Sequence, residues 1–258
     1  MQQVYSFAGI PVLAEYTYDY LARQCHGYEC DLAPLVSVHI TEADIAAEKK
    51  LCDEGTDYPA GYLESLAFYR KFSTVAAHRN VLLFHGSAIA FDGTAYIFTA
   101  PSGTGKSTHT DLCRQMYGDR VVYINDDKPL GRREENGRFT VYGTPWNGKH
   151  HLGSRISAPL GGICFLHRGE RDRIEPANGI SSFAALYGQT FRPENAQDLQ
   201  PVLSLLSALS QVPLFDLYCT MRPTAPATSL PAMAAEYAKR VTDGRTTVNK
   251  PAEEGKKI

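Results

Sequence analysis

The segment YIFTAPSGTGKSTHT, residues 96–110, places an apolar run directly before a loop of small residues that ends in a Lys-Ser pair. Its first three residues are typical of a β-strand, and the residues after Lys106 can continue as a helix. Strand, loop and helix in this order form the setting of the G-x-x-x-x-G-K-[ST] phosphate-binding loop, or P-loop. Ala100 stands where that motif has its first glycine. The segment predicts a nucleotide-binding loop, and the alternative is a Gly- and Ser-rich turn that only caps a helix.

Each residue type in this loop has a physical part in holding phosphate. Gly103 and Gly105 allow the backbone to turn so that successive N–H groups point at phosphate oxygens. Lys106 would place a positive charge on the β- and γ-phosphates, and the hydroxyl of Ser107 would bind Mg²⁺. The start of the helix adds its positive end to the same anion. The predicted nucleotide-binding residues are Ser102, Gly103, Thr104, Gly105, Lys106, Ser107 and Thr108.

The composition is that of an ordinary globular chain of 258 residues, 43% hydrophobic and 21% charged, with a formal net charge of −2. This balance gives no electrostatic footprint for nucleic acid or for an anionic membrane. No apolar run approaches the roughly 20 residues that span a bilayer, and the N-terminus lacks the basic and apolar regions of a secretory signal. The six cysteines contain no C-x-x-C pair. We therefore expect a cytoplasmic protein with reduced thiols and with neither a nucleic-acid nor a membrane partner.

The pattern of apolar and polar runs divides the chain into three parts. Residues 1–75 are expected to form a small α+β appendage packed on the core, and residues 76–244 the nucleotide-binding core. Residues 245–258 contain few apolar side chains and are expected to be a disordered tail. Within the appendage, Thr41 begins a capping-box-like sequence in which Asp44 replaces the usual Glu or Gln.

Within the core, the apolar runs 81–90 and 94–100 are joined by Asp92-Gly93, which is a strong hairpin signal between β-rich runs. The second run leads directly into the P-loop. Further strands are expected over 121–124, 159–166 and 214–219, and helices over 41–50, 62–77, 180–187, 196–211 and 230–241.

Two carboxylates, Asp126 and Asp127, follow the predicted strand 121–124 downstream of the P-loop helix. In a P-loop protein one carboxylate at this place can hold Mg²⁺, and its neighbour can accept a proton from an attacking hydroxyl. The alternative is a turn, because Asp favours strand ends and Asp-Lys-Pro is turn-like. His85 lies in an apolar run, where a single histidine is more often a satisfied core group than a ligand.

Residues 84–128 resemble the nucleotide-binding core of the superfamily of HPr kinase/phosphorylase and phosphoenolpyruvate carboxykinase. In that superfamily a His-bearing strand leads through a hairpin into an S-G-x-G-K-[ST] loop, and an Asp-Asp pair follows. This chain has Phe84-His85-Gly86, then the loop from Ser102 to Ser107, then Asp126-Asp127, and the histidine precedes the P-loop lysine by 106 − 85 = 21 positions. The resemblance implies an α/β fold with a P-loop-containing mixed β-sheet core flanked by helices.

The resemblance also implies roles for single residues. Lys106 would contact the β- and γ-phosphates, Ser107 and Asp127 would bind the metal, and Asp126 would be the catalytic base. His85 would either orient that base, as in HPr kinases, or ligate a second divalent metal, as in carboxykinases. Thr108 stands where HPr kinases have an acidic residue, which leaves a second, kinase-type metal contact without support. The wider layout from residue 62 to residue 219 resembles that of small bacterial relatives of these kinases.

The acceptor site is expected in the loop 142–151, which occupies the place where HPr kinases carry a Gly- and Arg-bearing docking loop. Lys149 and His150 are cationic or proton-handling groups there, and Trp146 offers a stacking face. The alternative is that this loop is a structural hairpin end with solvated histidines.

Two further residues are candidates for the chemistry. Arg168 follows the predicted strand 159–166 and could neutralise charge on the transferred phosphoryl group, with an ordinary surface charge as the alternative. Glu64, on the helix before the core, is a candidate for a contact with the acceptor.

These observations predict an ATP-dependent kinase that transfers the γ-phosphoryl group to a Ser-type hydroxyl on a small protein, peptide or metabolite. They leave open GTP or pyrophosphate as the donor, Mn²⁺ in place of Mg²⁺, and a homo-oligomer as the assembly. One alternative is a nucleotide-binding regulator that hydrolyses ATP slowly or not at all. The other is a small carboxykinase-like phosphotransferase or lyase that acts on a carboxylated metabolite and depends on Mn²⁺ through His85.

Overall fold

The computed structural model describes residues 1–52, 56–148 and 150–243. The predicted substrate residue Lys149 and the predicted tail at 245–258 lie outside the described residues. Within them the chain forms a mixed α/β structure with one three-stranded and one nine-stranded sheet, and helices pack against the sheets as the predicted fold class requires. No helix in these ranges is long and apolar enough to cross a membrane.

The N-terminal part of the chain folds around the small sheet. Its elements are β1 (Gln2–Phe7), β2 (Ile10–Glu15), α1 (Asp19–Gln24), β3 (Val36–His39), α2 (Glu42–Leu51) and α3 (Ala60–Ala77). Strands β1 and β2 form an antiparallel hairpin, and β3 pairs parallel to β2. The Thr41 side chain accepts a hydrogen bond from the N–H of Asp44, whose carboxylate accepts one from the N–H of Thr41 in return. The predicted capping box is therefore present at the start of α2.

The remaining elements build the large sheet and its helices. They are β4 (Val81–Leu83), β5 (Ser87–Phe91), β6 (Thr94–Thr99), α4 (Lys106–Tyr117), β7 (Val121–Asn125), β8 (Leu130–Arg133), β9 (Phe139–Tyr142), β10 (Ser157–Arg168), β11 (Arg173–Pro176), α5 (Gly179–Gly188), α6 (Ala196–Leu209), β12 (Leu214–Cys219) and α7 (Pro226–Thr242). Asp92 and Gly93 turn between β5 and β6 with φ values of 48° and 77°, the left-handed conformation that a two-residue hairpin loop requires.

Strand β10 joins two kinds of pairing in the large sheet. Its first residues pair antiparallel with β9, and its last residues pair in parallel with β6 on one side and β12 on the other. The strand order is β4-β8-β9-β10-β6-β5-β7, with β12 beside β10 and β11 beside β12. The sheet is therefore mixed, and the predicted P-loop lies at the C-terminal end of β6, beside the parallel partner strand β10.

The apolar run 81–90 is not one continuous strand. Between β4 and β5, three successive N–H groups bond to two other segments: Phe84 to Pro129 and Gly86 to Asp127 in the turn after β7, and His85 to Gln189 after α5. The β-strand hydrogen bonding is interrupted here because these N–H groups donate to other parts of the chain. This break brings His85 next to Asp127.

The N-terminal part shares a hydrophobic core with the rest of the molecule. Buried side chains of β1 and α3, among them Phe7 and Phe68, pack in one cluster with Val81, Leu130 and Trp146. The N-terminal part therefore contacts the rest of the chain through buried apolar surface, which is the strongest general source of cohesion between parts of a chain.

Candidate phosphoryl-transfer site

The P-loop leaves β6 and enters α4 through two glycines with positive φ, 76° at Gly103 and 118° at Gly105. Only glycine adopts such angles without strain. Ala100, which replaces the first glycine of the motif, does not have a positive φ and is buried, so its methyl group is tolerated. No side chain caps the start of α4. Its first N–H groups therefore face the loop and are free to bind an anion.

Lys106 lies at the base of this loop and is only 9% exposed. Its Nζ donates a hydrogen bond to the carbonyl oxygen of Ala100 at 2.9 Å. Burial lowers the pKa of Lys106, and the charge of Asp127 opposes that shift. Asp127 is thus electrostatically coupled to the P-loop lysine.

The hydroxyl groups of the loop differ in their availability. Thr104 Oγ1 donates to the carbonyl oxygen of Pro101 at 2.9 Å. In the part of the chain that the structure describes, the hydroxyls of Ser102, Ser107 and Thr108 have no hydrogen-bond partner. They are therefore free to contact a ligand, and the partly buried Ser107 is at the position where the motif places its metal-binding hydroxyl.

Two residues outside the loop contact it directly. Arg168 Nη2 donates to the carbonyl oxygen of Gly103 at 2.9 Å, so the predicted cation does lie at the P-loop. Met221 packs over Gly105, where a Cβ atom would lie 2.6 Å from Met221 Cε. The sequence pattern does not indicate Met221, because it follows β12, more than 100 residues after the loop.

His85 lies between Asp127 and a residue from α5's C-terminal end. Its Nδ1 is 3.0 Å from Gln189 Oε1, and its Nε2 is 3.5 Å from Asp127 Oδ1. Since Oε1 only accepts, Nδ1 carries a proton, and Nε2 faces the carboxylate, with a lone pair when the ring is neutral. Burial and the charge of Lys106 lower the pKa of His85, while Asp127 opposes them. Two acceptors facing each other favour a cation at this place, either a proton or a metal ion.

Asn125 turns the chain so that the two carboxylates separate. Its Oδ1 accepts from the N–H groups of Asp127 at 2.9 Å and Lys128 at 2.6 Å. Its Nδ2 donates to the carbonyl and hydroxyl oxygens of Thr144. Asn125 therefore links the carboxylate turn to the loop 144–155. Sequence reasoning did not single it out, although Asn before such a turn is a known turn former.

Asp126 points away from Asp127 and is only 4% exposed. Its Oδ1 accepts a hydrogen bond from the N–H of Gly148 at 2.6 Å, and its buried Oδ2 has no hydrogen-bond partner among the described residues. Burial raises the pKa of Asp126, while hydrogen bonds from the backbone of Gly148 and Leu152 oppose the shift. The predicted base is thus a buried carboxylate with one unpartnered oxygen, covered by the loop.

The structure places Trp146 differently from the expectation of a free stacking face. The indole is 2% exposed and stacks on the ring of Tyr69, with centroids 4.0 Å apart. Its Nε1 donates to Ser65 Oγ at 3.0 Å. Trp146 is therefore part of the aromatic core beneath the loop, because α3 supplies both a ring partner and a hydrogen-bond acceptor.

Glu64 and His150, the other candidates for a contact with the acceptor, lie in different environments. Glu64 is fully buried and accepts from the N–H groups of Thr17 and Tyr18, so it fixes the chain before α1 and does not reach an acceptor. His150 is exposed in a turn of the loop.

A cavity of about 750 Å³, which we call the Asp127 cavity, opens beside the carboxylate turn. It is lined by α1 and the turn after it, by α3, by Asp127 and Lys128, and by loop residues 145–148, 151 and 153–155. Asp127 lines this cavity and Asp126 does not. The N-terminal part of the chain therefore supplies one wall of a space that begins at the candidate transfer site.

The donor set at the loop fits a hard divalent cation. Ser107 offers an unpartnered hydroxyl, and Asp127 offers a carboxylate that pairs with Lys128 and whose charge acts on Lys106. Oxygen ligands of this kind, completed by phosphates and water, are what Mg²⁺ prefers. No group of three or more His, Cys, Asp or Glu side chains that could hold a metal occurs among residues 1–52, 56–148 and 150–243, so the protein alone does not form a closed metal cage there.

Comparisons with known proteins give little beyond this geometry. No protein-family model matches the chain, and no curated protein matches it. Among solved structures, the chain is similar to the HPr(Ser) kinase/phosphatase from Coxiella burnetii, with 11% identity and a TM-score of 0.32. The match covers 63% of this chain and 98% of that chain. A similarity at this level does not define the family or the activity of the chain.

Proposed function

We propose that the protein is an ATP-dependent kinase that transfers the γ-phosphoryl group to a hydroxyl. The observation that carries this proposal is the position of Asp127, which is coupled to the P-loop lysine on one side and lines a cavity on the other. A P-loop protein that only bound nucleotide would need neither a cavity of ligand size nor a carboxylate placed between that cavity and the bound phosphates.

On the donor side, the free N–H groups at the start of α4 and the ammonium of Lys106 bind the phosphates. Arg168 lies at the outer edge of the loop, where its positive charge stabilises negative charge on the transferred group. Ser107 and Asp127 would hold Mg²⁺, which when bound neutralises charge on the β- and γ-phosphates.

On the acceptor side, Asp126 is proposed to receive the proton of the hydroxyl. Its raised pKa and the unpartnered Oδ2 suit a group that gains a proton during the reaction. Gly148 covers this oxygen, since a Cβ atom on Gly148 would lie 3.2 Å from it. The acceptor therefore reaches Asp126 only when the loop around Gly148 moves aside.

Two pairs of variants test this proposal. Lys106→Ala should abolish measurable ATP binding in calorimetry, whereas Lys50→Ala, an exposed lysine at the end of α2, should bind like the wild type. Asp126→Asn should lose transfer and keep ATP binding, because the asparagine still accepts from Gly148 but takes no proton. Asp127→Asn should weaken Mg²⁺-dependent ATP binding as well. Full transfer by Asp126→Asn would remove the base assignment and leave Asp126 as an anchor of the loop.

One observation favours a second candidate function, carboxykinase-like phosphotransfer that depends on Mn²⁺. It is the lone pair of His85 Nε2 facing Asp127 at 3.5 Å, since an imidazole nitrogen and a carboxylate suit Mn²⁺. If His85→Gln loses a Mn²⁺-specific activity and retains the Mg²⁺-dependent one, this second function is supported. Equal loss with both metals would leave His85 as a residue that orients Asp127.

A further inference from the structure

The Asp127 cavity has the size of a small-molecule site. Its volume of about 750 Å³ falls within the roughly 300–1,000 Å³ that is usual for ligand pockets. Gln24 of α1 donates from Nε2 to the carbonyl oxygen of Pro145 at 3.3 Å, and its Oε1 accepts from Ser65. These bonds connect α1, α3 and the loop 145–155, so the walls of the cavity are held together before any ligand enters.

The lining of the cavity carries an excess of positive charge. Among the described residues, it contains three permanent cations, Arg23, Lys128 and Arg155, and a single carboxylate, Asp127. Asp127 is already paired with Lys128, and the exposed Asp19 pairs with Arg23. Arg155 forms no ion pair with any described residue. Its charge is therefore available to a ligand.

Arg155 is held in place by the N-terminal part of the chain. Its guanidinium lies over the ring of Tyr28, 6.0 Å from the centroid, and it packs against Gly27, where a Cβ atom would lie 2.9 Å from Arg155 Nη1. Gly27 has a φ of 87°, a backbone conformation that favours glycine. A cation positioned by packing and without a carboxylate partner is suited to bind an anion.

Neutral donors complete the lining. Tyr20, Tyr28 and Tyr62 line the cavity, and their hydroxyls have no hydrogen-bond partner within the described ranges. Burial raises the pKa of Tyr28 to about 12, against the opposing charge of Arg155, and burial also raises the pKa of Tyr62. Both phenols are therefore protonated at neutral pH and can donate to oxygen atoms.

We propose that the Asp127 cavity binds the phosphoryl acceptor, and that this acceptor is a small hydroxylated organic anion, either a carboxylate or a phosphate ester. Its anionic group binds Arg155, and its hydroxyl points toward Asp127 and the P-loop. The assignment of the ligand as acceptor rests on the proposed kinase function, whereas anion binding is a property of the cavity itself. In transfer, the loop around Gly148 moves aside from Asp126, the acceptor oxygen bonds to the γ-phosphorus, the bond from that phosphorus to the bridging oxygen of ADP breaks, and the hydroxyl proton passes to Asp126.

The test is a calorimetric titration of the full chain with three probes, D-glycerate, glycerol 3-phosphate and the uncharged glycerol. We expect one or both anions to bind and glycerol not to bind, and the comparison of the two anions distinguishes a carboxylate from a phosphate ester. Arg155→Gln should raise the Kd of the bound anion about tenfold or more, which corresponds to about 1.4 kcal/mol. Arg192→Gln is the matched control, because Arg192 is exposed and lies over the ring of Tyr187 away from the cavity.

The outcomes separate this inference from the proposed function. If none of the probes binds the wild-type chain, or if glycerol binds as tightly as the anions, the proposal of an anionic acceptor is wrong, whatever the variants show. Unchanged affinity in folded Arg155→Gln contradicts it as well. ATP binding is measured in the same preparation. Anion binding without ATP binding supports the cavity assignment and contradicts the kinase. ATP binding without anion binding supports the kinase and contradicts the cavity assignment.

Discussion

Burial of Asp126, the candidate base, changes the stability of the folded protein. The pKa of this carboxyl is raised by burial, so the folded state binds a proton more readily than the unfolded state. Such a group stabilises the fold below its unfolded pKa, and that contribution is lost as the pH rises through its folded pKa. At neutral pH the ionised Asp126 therefore destabilises the protein.

We expect Asp126→Asn to raise the free energy of unfolding at pH 7 and to change it little near pH 3, where the carboxyl is protonated in both states. Urea unfolding at the two pH values measures this. A variant that is less stable than the wild type at pH 7 would show that the carboxylate stabilises the loop more than its burial costs.

His109, on α4, gives a second prediction at the scale of a residue. It is fully buried, with Nε2 2.9 Å from Ser229 Oγ, and burial lowers its pKa to about 4. The unfolded chain therefore takes up a proton that the folded chain does not, and stability falls as the pH drops from about 6.5 toward 4. The loss amounts to about 3 kcal/mol, from a shift of about 2.5 units at 1.36 kcal/mol each. His109→Gln should remove this part of the pH dependence, and exposed His150→Gln should not.

Of the residues at the site, the sequence predicts those whose types belong to a motif. The P-loop glycines, Lys106, Ser107 and the Asp-Asp pair are of this kind, and Arg168 is predicted from its place after a strand. Gln189 and Met221 are not predictable, because each reaches the site from about 100 residues away and neither belongs to a motif. Their contacts are a consequence of tertiary folding alone.

At the scale of the elements, the loop between β6 and α4 depends on glycine. Gly105 has a φ of 118°, and a Cβ atom there would meet Met221 Cε at 2.6 Å. Gly105→Ala should weaken ATP binding about tenfold or more, because the strained backbone alone costs about 1–3 kcal/mol. Gly179→Ala at the start of α5, where nothing lies within 4 Å, should leave ATP binding unchanged. Equal binding by Gly105→Ala would mean that the loop does not hold the phosphates.

Local signals predict many of these elements because the signals act over a few residues. The Asp92-Gly93 turn and the Thr41 capping box are examples. The break at His85 is different, because it depends on donors being bonded to distant segments. The short helix α1 has only six residues, too few to give a helical period.

At the scale of the whole molecule, the aromatic cluster around Trp146 joins the N-terminal part to the loop over Asp126. Phe7, Phe68 and Tyr69 come from β1 and α3, and the single tryptophan comes from the loop. We expect the two parts to unfold together, so the transitions followed by tryptophan fluorescence and by far-UV circular dichroism should coincide. A fluorescence transition at lower denaturant concentration would contradict this, because it would mean that the loop and N-terminal part separate before the large sheet unfolds.

Trp146 is not the free stacking face that the sequence predicts, for the same reason that the cluster forms. A single Trp in a polar loop is typical of a binding site. Only the fold places Tyr69 and Ser65 next to it. The N-terminal part of the chain is therefore both a structural support and a wall of the Asp127 cavity.

We propose that a phosphoryl group moves from ATP to a hydroxylated acceptor at this site. The most direct measurement incubates the protein with γ-labelled ATP, Mg²⁺ and an extract of its host, and follows the destination of the label. We predict label in one discrete small molecule, lost with Lys106→Ala and with Asp126→Asn. Label that appears only as free phosphate, or no consumption of ATP, would contradict the claim and favour a nucleotide-binding regulator.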